Sequence, residues 1–276
     1  MRKRRVLCIL LVVLWLGQAM AQQPKLHVAL LGDSNTWLGG EDCSQPRGWN
    51  KWFCDSFHPA SCRSYARSGA TWTNTQATRR NTSEYTELLG DQNVIYNQIC
   101  RLFEACDAGT QPAPDLILIA AGTNDAWFQA KRPHVFDKTV DEAFADTMTT
   151  SRPVCRVLTL AESVRFAVLL LQERFPQARL VLMTPMESTS VSTSDIHRTG
   201  DLLEACAQRL GAGVVRLDQS GLVSRHQEQK RRVFTTDGTH TNERGARMNG
   251  RLTARKVMEL LKLSETQKLK NSETEK

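Results

Sequence analysis

Residues 26–35 read Leu26-His27-Val28-Ala29-Leu30-Leu31-Gly32-Asp33-Ser34-Asn35. The first six make a short apolar run of the kind found in strands buried on both faces, and the last four all favour turns. Further runs of this character stand at 116–121, 179–183 and 213–217, with a weaker one at 63–66. Helical patterns lie between them, at 48–57 and at 84–104. Thr159-Leu160-Ala161-Glu162 has the form of a capping box, opening a helix that Pro176 ends. A helix over 201–210 is closed by Gly211, and an amphipathic one covers 242–261, followed by a polar tail at 264–276 expected to fray. Strands alternating with helices predict an α/β fold with a five-stranded parallel sheet covered on both faces. The flavodoxin-like order 2-1-3-4-5 would set the ends of the first and third strands side by side. Ser34 and Asn124 follow those two strands, so the topology would join residues 90 positions apart.

The N-terminus reads as a processing signal over residues 1–21. Arg2-Lys3-Arg4-Arg5 is its charged region, residues 6–16 its apolar stretch, and Ala19-Met20-Ala21 its small-residue cleavage site. About 11 apolar residues fall short of the roughly 20 that span a bilayer, so no stable membrane insertion is expected after cleavage. The expected product is secreted or periplasmic, with one domain at 22–263. Removing the leader's four positives from the formal +7 leaves +3, too mild a charge to predict a nucleic-acid partner. Seven of the eight cysteines remain: Cys43, Cys54, Cys62, Cys100, Cys106, Cys155 and Cys206. Export permits disulfides, and the odd number leaves at least one thiol unpaired within the chain. Cys54 with Cys62, or Cys100 with Cys106, would close short loops. No C-x-x-C pair with accompanying histidines occurs, so no metal site is predicted.

Three segments carry candidate chemistry. Ser34, at the strand exit, is a hydroxyl nucleophile if a base lies within hydrogen-bond reach. His240, in Asp237-Gly238-Thr239-His240, is the candidate base. Asp237, three residues earlier, can meet Nδ1, fix the tautomer and leave Nε2 for the serine. The same spacing also arises as an ordinary helix-start cap. The other five histidines lack this arrangement. An oxyanion would need donors, for which the Ser34 N–H, the Gly69 N–H in Ser68-Gly69-Ala70-Thr71 and the Asn124 side-chain amide in Gly122-Thr123-Asn124-Asp125 are candidates.

Together these blocks resemble those of the SGNH hydrolase superfamily, the GDSL-type esterases and lipases. Gly32-Asp33-Ser34 is similar to the nucleophile block, Ser68–Thr71 to the glycine block, Gly122–Asp125 to the asparagine block and Asp237–His240 to the acid–base block. One departure is Asn35, where leucine or isoleucine is common, a change expected not to touch the mechanism. The resemblance implies a three-layer α/β/α sandwich, no metal and no organic cofactor. It implies a carboxylic ester hydrolase with Ser34, Asp237 and His240 as triad and Ser34, Gly69 and Asn124 as oxyanion hole.

For a substrate, the tryptophans point toward a sugar-like ester, since flat aromatic faces suit sugar rings. Trp37, Trp72 and Trp127 each lie three residues beyond a block position and are expected at the cleft rim. The connection over 125–153 would shape one side of the pocket. A short acyl group such as acetyl, on a carbohydrate, is the leading expectation. A lipid or lysophospholipid esterase is the alternative enzyme, and a catalytically silent glycan-binding module the alternative of another class.

Overall fold

A computed structural model describes residues 25–84 and 86–274, so the expected leader lies outside the described residues. Five parallel strands form one sheet: β1 (His27–Gly32), β2 (Ser61–Ser64), β3 (Leu116–Ala120), β4 (Arg179–Met183) and β5 (Gly213–Val215). Their spatial order is β2-β1-β3-β4-β5. Gly32 pairs with Ala120 at the carboxyl ends of β1 and β3, so the loops that follow leave the sheet together.

Alternation along the strands divides the apolar residues between two cores. Ala29 and Leu31 of β1, Ile117 and Ile119 of β3, and Leu180 and Leu182 of β4 face one layer. That layer contains α3 (Ile95–Asp107), α6 (Leu160–Arg174) and α7 (Thr193–Leu210). Val28, Leu30, Leu116, Leu118, Val181 and Met183 face the other, against α2 (Trp49–Phe57) and α9 (Glu243–Thr274). The shorter helices are α1 (Ser34–Trp37), α4 (Thr123–Trp127), α5 (Val140–Phe144) and α8 (Arg225–Lys230). This is a three-layer α/β/α sandwich.

Several boundaries differ from the pattern in the sequence. The edge strand is 61–64 rather than 63–66. The second helix starts at Ile95, because Asn93 turns the preceding chain by donating to the Ser68 and Leu88 carbonyls, at 2.6 and 2.8 Å. Helix α7 begins eight residues before position 201, capped by Ser192, whose hydroxyl accepts from the Asp195 N–H at 3.0 Å. The capping box at Thr159 and Glu162 is present as expected, and Gly211 closes α7 at φ 66°. Helix α9 continues to Thr274, since no Gly or Pro interrupts the chain after Gly250. The 125–153 connection contains most of α4, a single 3₁₀ turn and α5. Among the described residues no helix is long and apolar enough to cross a membrane.

Candidate active site

The exit from β1 is held rigidly. Gln98, buried on α3, accepts from the Gly32 N–H and donates to the Gly32 carbonyl, both at 2.8 Å. A Cβ on Gly32 would lie 2.5 Å from the Ala120 carbonyl and 2.6 Å from Thr36 Oγ1, so only glycine fits this crossing. Asp33 then caps α1 by accepting from the Asn35 N–H at 3.2 Å, which makes Ser34 the first helical residue. Burial lifts the Asp33 carboxyl to about 6, against the Asn35 N–H bond, nearby His240 and a bond from Thr123.

Ser34 Oγ lies 2.9 Å from His240 Nε2, and His240 Nδ1 lies 2.6 Å from Asp237 Oδ2. The other Asp237 oxygen accepts from the backbone N–H of His240 at 2.8 Å and of Thr239 at 2.9 Å. Partial burial acts to raise the Asp237 carboxyl, but the bonds from His240 and Thr239 outweigh it and bring it to about 2. Three side chains from opposite ends of the sequence thus form one hydrogen-bonded line. In that line a hydroxyl proton can pass to an imidazole whose far nitrogen is already held by a carboxylate.

The loop carrying His240 rests on two supports that the sequence motifs do not announce. Asn35 Nδ2 donates to the Thr239 carbonyl at 3.2 Å, and Asn35 Oδ1 accepts from the Thr241 N–H at 3.0 Å. One amide therefore brackets His240 on both sides, a supporting role that the sequence reading did not assign to Asn35. Below it, buried Glu228 on α8 accepts from the N–H groups of Val233, Phe234 and Thr235 and from the Thr235 hydroxyl. Only the side-chain chemistry of Asn35, a donor and an acceptor together, could have hinted at its role.

Asn124 reaches the glycine loop through its side chain. Asn124 Nδ2 donates to the Ala70 carbonyl at 2.8 Å, which ties the start of α4 to the glycine loop. Gly69 has φ +77°, and a Cβ there would meet the Leu89 nitrogen at 2.7 Å. The glycine is thus required by the neighbouring 88–89 backbone as well as by its left-handed conformation. Asp125, fully buried, accepts from the Trp72 N–H (3.0 Å), the Thr73 N–H (2.8 Å) and the Thr73 hydroxyl (2.6 Å). Burial raises its carboxyl, while these bonds and the charge of Arg132 oppose the rise.

The tryptophans separate. Trp37 is half-buried and lines a cavity of about 530 Å³ with Glu41, Gln45, Arg47 and Ser64. The Arg47 carbonyl on that wall accepts from the Thr241 hydroxyl at 3.0 Å, which fixes the cavity beside the His240 loop. Trp127 is 39 % exposed and stacks on Phe128. Trp72 is only 1 % exposed and belongs to the core, so its expected place at the rim is corrected: Asp125 draws its backbone inward. A second histidine–carboxylate pair exists, His134 Nδ1 to Asp137 Oδ2 at 2.7 Å, in the reverse order along the chain and exposed.

The thiols also differ from expectation. Cys100 and Cys106 both lie on α3, about 9 Å apart along its axis and beyond the reach of a disulfide. Cys54 and Cys62 approach each other, but Cys43 joins them.

No curated protein matches this chain. Among solved structures, a possible lipase from Chitinophaga pinensis is 15 % identical, superposes with a TM-score of 0.58, and the match covers 87 % of this chain and 100 % of that one. Proteins described as GDSL-like lipases from Bacteroides uniformis and Bacteroides ovatus are 17 and 13 % identical, with TM-scores of 0.52 and 0.53. Those matches cover 87 and 86 % of this chain and 97 and 100 % of theirs. At these identities the likeness establishes the fold. The model of the GDSL-like Lipase/Acylhydrolase family matches residues 30–248, most of the chain, and the protein therefore belongs to that family of ester-hydrolysing serine hydrolases.

Proposed function

We propose that Ser34 is the nucleophile, His240 the general base and Asp237 the residue that orients it. Ser34 Oγ attacks the ester carbonyl as His240 Nε2 takes its proton. The same nitrogen returns that proton to the departing alcohol. Water, deprotonated by His240, then releases the acid from the acyl-enzyme. Asp237, with its carboxyl near 2, stays ionised throughout and faces the imidazolium that forms. The developing oxyanion would rest among the Ser34 and Gly69 N–H groups and the Asn124 N–H not given to Ala70, each donor worth about 3 kcal/mol of barrier. The observation carrying this reading is the 2.9 Å contact between Ser34 Oγ and His240 Nε2, across 206 positions of sequence.

The substrate we assign is a short acyl ester, such as acetyl, on a carbohydrate. In support, the cavity beside Trp37 sets Glu41, Gln45, Arg47 and Ser64, which can bond sugar hydroxyls, against an apolar wall of Trp37, Leu38, Pro46 and Ala66 on which a ring face can rest. Export is proposed from the charged, apolar and small-residue segments of residues 1–21. The test is a series of esters on the leader-free protein: p-nitrophenyl acetate, p-nitrophenyl octanoate and an acetylated oligosaccharide. A kcat/KM at least about tenfold higher for acetate than octanoate, with acetate released from the oligosaccharide, is expected. Preference for octanoate would replace this substrate with a lipid ester. Glycan binding without turnover would replace the enzyme reading with a binding module.

A further inference from the structure

Cys43, Cys54 and Cys62 come from three different places. Cys43 sits in the loop after α1 with φ 58°, Cys54 on α2 and Cys62 on edge strand β2. Their sulfurs all lie within 4.8 Å of one another, and Cys43 Sγ is 3.6 Å from Cys62 Sγ. A disulfide holds two sulfurs at about 2.05 Å and uses only two of three. Two thiolates bound at about 2.3 Å to a tetrahedral ion stand about 3.8 Å apart, close to the separation seen here. Cys54 and Cys62 open onto a surface cavity of about 480 Å³ lined also by His58, Asp42, Asp55 and one cation, Lys25, whose charge the two carboxylates outnumber. That cavity gives a metal cation an entry path and a side to complete its coordination.

We infer that Cys43, Cys54 and Cys62 form a binding site for one thiophilic divalent cation of the zinc class, with its fourth position toward the cavity where His58 stands. The Cys43 thiol already donates to Cys62 Sγ at 3.6 Å, so the sulfurs face one another before any ion binds. Binding forms three metal–sulfur bonds and releases thiol protons to solvent, so affinity falls as pH is lowered. The ion would fasten the loop bearing Glu41 and Gln45, one wall of the larger cavity, to α2 and β2.

The experiment uses the leader-free protein, reduced and handled without oxygen, titrated with Co²⁺ and then Zn²⁺. Expected are one equivalent of Co²⁺ with a thiolate-to-cobalt charge-transfer band, bleached by Zn²⁺. The band should be lost in Cys43→Ser and in Cys54→Ser, and kept in Cys106→Ser. Circular dichroism and p-nitrophenyl acetate hydrolysis show that each variant is folded, and the half-exposed Cys54 site tolerates substitution if Cys43 does not. The inference is overturned if the reduced wild type gives no such band, or if the Cys54→Ser variant keeps it. It is equally overturned if mass spectrometry of protein isolated from its native compartment finds a disulfide joining any two of the three.

Discussion

Asn35 reaches both neighbours of His240, donating to the Thr239 carbonyl and accepting from the Thr241 N–H. A serine–histidine contact of 2.9 Å tolerates little drift, and misplacement by an ångström can cost about 100-fold in rate. Asn35→Ala removes both bonds, so kcat on p-nitrophenyl acetate should fall about 10- to 100-fold with KM nearly unchanged. An unchanged kcat would show that the loop holds His240 without this residue. Asp33 makes a second prediction, this one in stability. Its carboxyl is raised from an ordinary 3.8 to about 6, so the folded protein binds this proton more tightly than the unfolded chain. Its contribution therefore falls as pH rises from about 4 to about 6, and the loss is complete above that window. Asp33→Asn, which can still cap α1, removes the penalty. In urea denaturation the variant should be more stable than wild type by about 3 kcal/mol at pH 8, and level with it at pH 3. A gain of equal size at both pH values would contradict this account.

Asp125 acts between elements. It carries the start of α4 onto the 71–73 segment through three bonds, and Arg132 completes the arrangement by donating to the Thr71 hydroxyl and the Thr73 carbonyl. Asp125→Ala leaves two N–H groups and a hydroxyl unpaired and leaves Arg132 with Asp91 alone to offset its charge. Such losses cost about 3–5 kcal/mol, read as a lowered urea midpoint, and a loss below about 1 kcal/mol would contradict the strut. Elements buried in both cores were the legible ones. The runs at 116–120 and 179–183 are apolar because both faces are covered, and that leaves an unmistakable mark. Strand β2 lies at the edge and carries Cys62 and Arg63, so its pattern is weak and its position slipped by two residues. The segment before α3 shows helix-like apolar spacing. Side-chain bonds from Asn93, invisible to periodicity, hold it irregular.

Across the molecule, the strand order accounts for how Ser34 and Asn124 share one end of the sheet; alternation of strands and helices predicted the parallel sheet, and the flavodoxin-like pattern supplied its order. What the sequence concealed depends on side chains meeting across distant segments: the Asn35 bracket, the buried Trp72 and the three sulfurs drawn from a loop, a helix and a strand. None of these has a spacing of its own: α1 meets the His240 loop, α4 meets the Trp72 segment, and α2 meets β2 and the loop after α1. In the proposed reaction the hydroxyl held 2.9 Å from His240 performs the chemistry. The direct measurement is hydrolysis of p-nitrophenyl acetate by wild type beside Ser34→Ala, both verified as folded. Removal of a triad nucleophile should lower kcat by about 10⁴-fold or more, leaving only background. Equal rates in the two proteins would contradict the account and place the nucleophile elsewhere.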